Sequence, residues 1–157
     1  MPKIKIKNHQ LDPLLASVSE IRKSNQLIDG YVQLKIRKIE RIIIPFYEDY
    51  ISILPNLKEQ YVQKHKGEFM TEMENGVPVL VFKDKSSKDK FLKVSNSENI
   101  IEIPELLTPD ELKGMKVSGW QMEFLTLVLQ EEANLYKETQ KSGDELEKVA
   151  TNGVDNE

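Results

Sequence analysis

The chain has no cysteine and only two histidines, His9 and His65, among 157 residues. The missing Cys excludes a disulfide framework, a thiolate metal site and a cysteine nucleophile together. Two His are too few for a histidine-rich metal centre. The seven glycines are isolated, so neither the phosphate loop Gly-x4-Gly-Lys-Ser/Thr nor the dinucleotide pattern Gly-x-Gly-x-x-Gly occurs. No apolar run approaches the ~18 residues of a membrane span. Met1-Pro2-Lys3-Ile4-Lys5 carries no hydrophobic segment of signal-peptide type, and a cytoplasmic location is expected.

Charge is present in both signs but unevenly placed. Residues 1–66 hold 12 Lys+Arg against 7 Asp+Glu, a net of +5, and residues 67–157 hold 10 against 19, a net of −9. A basic front and an acidic remainder are explained by the two parts docking side by side, with ordinary solvated faces. The same asymmetry is also what a nucleic-acid patch or an acidic tail produces.

Lys3-Ile4-Lys5-Ile6-Lys7 alternates strictly, which predicts a short half-buried strand. Asp12-Pro13 reads as a helix N-cap followed by Pro at the first helical position, where its missing N–H removes no bond. Leu11, Leu14, Leu15, Val18 and Ile21 then form one apolar face, closed by Lys23-Ser24-Asn25, which also offers a cap for the next helix. From Gln26 to about Lys66, Ile28, Val32, Ile36, Ile39, Ile43, Phe46, Tyr50, Leu54 and Leu57 step by three or four. Pro45 and Pro55 each remove a donor from that pattern, predicting kinks that divide it into two or three helical segments packed as a hairpin or bent arm. Gly30 weakens its first turn by up to ~1 kcal/mol relative to Ala.

Near Gly67 the period changes. Asn75-Gly76 lies between Phe69–Met73 and Val77–Phe82, the strongest short-range signal for a β-hairpin. Pro78 cannot donate to a ladder, which predicts that its strand lies at a sheet edge or is paired on one side near its start. Lys83–Lys90 is polar and forms either a loop or the start of a short helix through Phe91 and Leu92, and Asn99–Ile103 is a strand stopped by Pro104. Thr108-Pro109-Asp110-Glu111 and Ser118-Gly119-Trp120-Gln121 are capping boxes, the second flanked by Val117 and Met122 as a hydrophobic staple. The last helix carries Phe124, Leu125, Leu127, Val128, Leu129 and Leu135, apolar nearly all round, which places it in a core or an interface. Residues 141–157 are polar and read as a disordered acidic tail.

No constellation carries recognisable catalysis. His9, near the start, and His65, at a Lys-rich helix end, read as surface residues, so a Ser–His–Asp triad lacks its base. His9-x2-Asp12 is too sparse for a metal site. Glu48-Asp49, Asp110-Glu111 and Glu131-Glu132 are explained by solvated helix faces or by helix N-terminal charge. No catalytic, cofactor-binding or metal-ligating residue is assigned, and the chain is expected not to be an enzyme. The densest basic cluster is Lys35, Arg37, Lys38 and Arg41, with Tyr31 close by and Glu40 interrupting it. Such a group suits a phosphate backbone or an acidic protein, but a solvated, salt-bridged face is the ordinary explanation. Trp120, Phe124, Leu127 and Val128 are the candidate interface residues on the last helix.

Lys5-Ile6-Lys7-Asn8-His9-Gln10-Leu11, and the later order of charged loop, short strand, apolar-acidic run and leucine-rich helix from Ile100 to Leu129, resemble a family of small proteins of tailed bacteriophages, mostly of Gram-positive hosts. The Ser-Arg-rich start of the family's second helix is replaced here by Lys23-Ser24-Asn25. The resemblance implies a phage origin. The family has no assigned activity, so no functional residue is carried over.

The expected fold is α+β and mainly α: a bent helical hairpin or bundle with a small antiparallel hairpin or sheet and a C-terminal apolar helix. It forms one domain over residues 1–140, with a β insertion around 68–103. The expected function is a non-enzymatic protein–protein interaction, assembly or accessory role, toward itself, a phage structural protein or a host protein. The alternatives are a small acidic inhibitor of a host or defence protein and, more weakly, nucleic-acid binding through residues 35–41. No cofactor and no membrane are expected.

Overall fold

A computed structural model describes residues 1–25 and 28–130. The fold is α+β and mainly helical, with three small antiparallel two-stranded sheets among the described residues.

Strand β1 (Lys3–Lys7) has the predicted alternation, with Ile4 and Ile6 inward and the three lysines outward. It pairs antiparallel with β6 (Glu98–Glu102), matching Ile4 to Ile101, Lys3 to Glu102 and Lys7 to Glu98. Opposite charges thus face each other at both ends of the ladder, a favourable cross-strand arrangement.

Helix α1 (Asn8–Ser24) follows the strand without a break. Its start corrects the Asp12-Pro13 reading. The Lys7 N–H donates to Gln10 Oε1 at 2.9 Å, and the Asn8 side chain donates to the Val94 carbonyl at 2.7 Å while accepting from Asn99 at 2.8 Å. These contacts begin the helix before Asp12 is reached. Pro13 lies inside it, and the His9 carbonyl that loses a partner belongs to an exposed residue. Leu11, Leu14, Val18 and Ile21 are buried as the spacing required.

Helix α2 (Gly30–Tyr61) is one uninterrupted element, where three segments or two were expected. Pro45 and Pro55 and the residues four before them, Arg41 and Ile51, are all exposed. The two carbonyls released by the prolines therefore open to water, which keeps the helix continuous. The N-cap is Asp29, whose carboxylate accepts the Tyr31 N–H at 2.8 Å. Asn25, a candidate for that role, is instead buried: it donates to the Ile21 carbonyl at 2.9 Å and accepts the Lys116 N–H at 2.9 Å. Replacing Asp29 with Ala is expected to destabilise the fold by about 1 kcal/mol, and with Asn by far less. Equal losses for the two variants in thermal unfolding would exclude the capping role.

The core forms where α1 meets the first half of α2. Leu11, Leu14, Val18 and Ile21 pack with Val32, Ile36, Ile39 and Ile43, and the layer is closed by Ile4, Ile6, Ile101, Ile103 and Leu107. Two short helices follow β6: α4 (Pro109–Leu112) and α5 (Gly119–Leu125), both opened by the predicted capping boxes. α5 gives way to a single 3-10 turn at Thr126–Val128, so the described last helix is shorter than its apolar pattern. Leu125, Val128 and Leu129 fill the core. Leu135 and the 141–157 tail lie outside the described residues.

Beyond Ile43 the α2 stripe of Phe46, Tyr50, Leu54 and Leu57 is only half-buried. Past Tyr61 a second, separate apolar contact forms: Val62 is buried and bridges Phe82, whose ring lies 5.1 Å from that of buried Phe91. Phe91 is on α3 (Lys85–Ser95), started by Asp84, whose carboxylate accepts the Ser87 N–H at 2.7 Å. That bond holds the Asp84 carboxyl below its ordinary range. Between Val62 and Phe82 run β2 (Lys64–His65), β3 (Glu68–Phe69), β4 (Thr71–Glu74) and β5 (Val77–Leu80).

Candidate functional site

The basic cluster does not survive as a unit. Lys35 sits between Val32 and Ile39 on the inward face of α2 and is buried. Its ammonium donates to Glu111 at 2.9 and 3.0 Å and to the Leu106 carbonyl at 3.2 Å. Glu111 also closes the α4 capping box on Thr108, so one carboxylate binds a helix start and ties it to α2. Arg37, Lys38 and Arg41 remain exposed. Glu40, read as an interruption of the patch, is buried and held by Arg22 across the α1–α2 contact at 2.5 Å, with Arg37 at 3.8 Å. The Tyr31 hydroxyl donates to the Glu105 carboxylate, which holds its pKa above the ordinary value.

Beside this network a cleft of about 70 Å³ is lined by Lys35, Lys38, Ile39, Ile42, Ile103, Pro104 and Glu105. Ligand pockets run to ~300–1,000 Å³, so this space suits one side chain and not a small-molecule substrate. Among the described residues no group of three His, Asp or Glu is placed to hold a metal ion. Both histidines are exposed; His65 lies in β2, not at a helix end.

The four candidate interface residues divide. Trp120 is 45% exposed, Phe124 and Leu127 are half-buried against the core, and Val128 is wholly buried within it. Val128 is therefore part of the chain's own interior and is not available to a partner.

The surface with the least internal explanation is the β4–β5 ribbon. Asn75 and Gly76, at φ 53° and 77°, make the predicted two-residue turn with Glu74 opposite Val77. Positive φ at both central positions is the type I′ geometry that matches strand twist. A second such turn, Lys66-Gly67 at φ 53° and 83°, joins β2 to β3 and was missed in the sequence, where Lys is an uncommon first turn residue. At the root of the ribbon three chain segments meet on Gln63. Gln63 N–H donates to Val81, Val81 N–H to Met70, and Met70 N–H to Gln63. Beyond that junction every residue of β4 is exposed, Met73 at 69%, and Val77 at the start of β5 is 58% exposed. The register puts Thr71, Met73, Pro78 and Leu80 on one face and Glu72, Glu74, Val77 and Val79 on the other. Ile51 and Ile53 add exposed apolar side chains on the distal half of α2.

No protein-family model, curated protein or solved structure matches this chain. Among the described residues no helix is long and apolar enough to cross a membrane.

Proposed function

We propose that this chain is a non-enzymatic interaction protein, an assembly or accessory component of the kind the phage resemblance implies, and that its contact surface is the β4–β5 ribbon at the end of α2. The observation that carries this reading is a two-stranded ribbon with Met73 and Val77 exposed on opposite faces. An isolated two-stranded ribbon is marginally stable in water. A partner would bury its apolar side chains and add to its stability. The nucleic-acid reading is weakened, because Lys35 is engaged by Glu111 and only three of the four cations face solvent.

A photo-crosslinking residue placed at Met73, with an equivalent at exposed Leu34 as control, tests the reading in the cells that make the protein. A discrete adduct at position 73, to a second copy or to another protein, is the expected result. Adducts no stronger at 73 than at 34 would remove the ribbon as the contact surface.

A further inference from the structure

We infer that the outer edge of β4 takes a third strand from a partner protein, and that this strand is a basic extended segment alternating Lys or Arg with apolar residues. The inference deepens the proposed ribbon contact and rests on it.

The hydrogen-bond parity of the hairpin identifies the open edge. Antiparallel pairs alternate between hydrogen-bonded and non-hydrogen-bonded. The turn pair Glu74–Val77 is bonded, and the bond from Val81 N–H to the Met70 carbonyl fixes the same parity at the root. Thr71, Met73, Pro78 and Leu80 therefore direct their backbone groups away from the ladder. On the β5 side one of these positions is Pro78, which has no N–H, so that edge is blunted. On the β4 side Met73 offers both a donor and an acceptor. No further strand pairs with β4 among the described residues.

Charge chooses the occupant. From Glu68 to Phe82 the chain carries Glu68, Glu72 and Glu74 and no Lys or Arg. A second copy pairing β4 against β4 would set these glutamates beside one another, and like charges across a ladder repel. A strand with cations at alternate positions places them beside Glu72 and Glu74. Its apolar residues then extend the face of Met73, Pro78 and Leu80. The chain already contains this solution: β1, Lys-Ile-Lys-Ile-Lys, lies against Glu98 and Glu102 of β6. Added strands of this type draw affinity from main-chain bonds and specificity from alternate side chains.

The test is an amide NMR titration of the intact chain with a seven-residue peptide alternating lysine and valine, and with its glutamate–valine counterpart. The expected result is shifts at Thr71 and Met73 from the basic peptide alone, weakening as salt rises. Met73→Pro removes the outward donor and leaves the β4–β5 ladder intact; it is expected to weaken binding at least tenfold. The E72K/E74K double variant should do the same with the backbone untouched, and it decides the matter if Met73→Pro disturbs the ribbon. Shifts outside β4, equal binding of the acidic peptide, or unchanged affinity in the double variant would overturn the inference. So would self-association in place of peptide binding. A strong crosslink at position 73 without peptide binding would leave the ribbon contact standing and exclude strand addition; absence of both would exclude both.

Discussion

Replacing Ile101 with Ala is expected to lower the unfolding free energy by about 2–5 kcal/mol, whereas the same change at Ile100 should stay within about 1 kcal/mol. The two residues are neighbours in one strand, so propensity and backbone pairing are nearly matched. They differ in what the side chain meets. Ile101 is 1% exposed and lies opposite Ile4, under the α1–α2 layer, while Ile100 is 56% exposed on the other face of β6. Truncation at 101 loses the transfer free energy of the removed methyl and methylene groups and leaves a cavity that close-packed neighbours fill only partly. Domains of this size are stable by about 5–15 kcal/mol, so the loss at 101 takes a large share of the total. Urea unfolding of both variants, read as a shift in midpoint at constant slope, gives the comparison. Similar losses at 100 and 101 would mean that the β1–β6 register, or the side of the sheet that is buried, is wrong.

The second large effect is at the Lys35–Glu111 pair. Lys35→Met leaves Glu111 half-enclosed without its cation and is expected to cost about 3 kcal/mol, the low end for a broken buried pair because Thr108 still binds the carboxylate. Combining Lys35→Met with Glu111→Gln removes both charges and keeps a side chain able to close the capping box; most of the loss should be recovered. The pair also sets an acid limb. Burial pushes the Glu111 carboxyl up, but the hydrogen bond from Lys35, the Thr108 N–H and the Lys35 charge outweigh it, so the folded-state pKa lies below the ordinary 4.5. A carboxyl depressed on folding binds fewer protons in the native state, so its contribution is present above about 4.5 and fades as pH falls through the folded value. The stability difference between the parent and Glu111→Gln should therefore be steady near neutral pH and shrink over the range below about pH 5. A difference constant across that range would show that the Glu111 charge contributes nothing to stability.

What was legible in the sequence was local. The Lys-Ile alternation predicts β1, two Ser/Thr-x-x-Glu/Gln boxes predict the starts of α4 and α5, and Asn75-Gly76 predicts the ribbon turn, because each depends on a few adjacent residues satisfying their own backbone. What was not legible depended on which side of an element faced solvent. Pro45 and Pro55 break a helix only where the released carbonyls cannot reach water, and exposure on α2 is a tertiary outcome. Lys35 looked like a member of a basic face until α4 supplied Glu111, distant in sequence by 76 positions. Val128 reads as interface or core from the same apolar run, and only the position of Leu107 and Leu129 against it decides for core. Among the described residues two ion pairs, Lys3–Glu102 and Lys35–Glu111, join the basic front to the acidic remainder.

The pairing of β1 with β6 has a consequence in time. Ile6 and Asn99 meet across the ladder although they are 93 positions apart. At about 5–20 residues per second, β1 is synthesised roughly 5–20 s before its partner strand. Throughout that interval Ile4 and Ile6 lack the β6 residues that they meet in the finished sheet. The three lysines between and beside them discourage pairing with another nascent chain. Lys3, Lys5 and Lys7 thus place three positive charges along this segment before Lys3 and Lys7 meet the glutamates that face them in the finished protein.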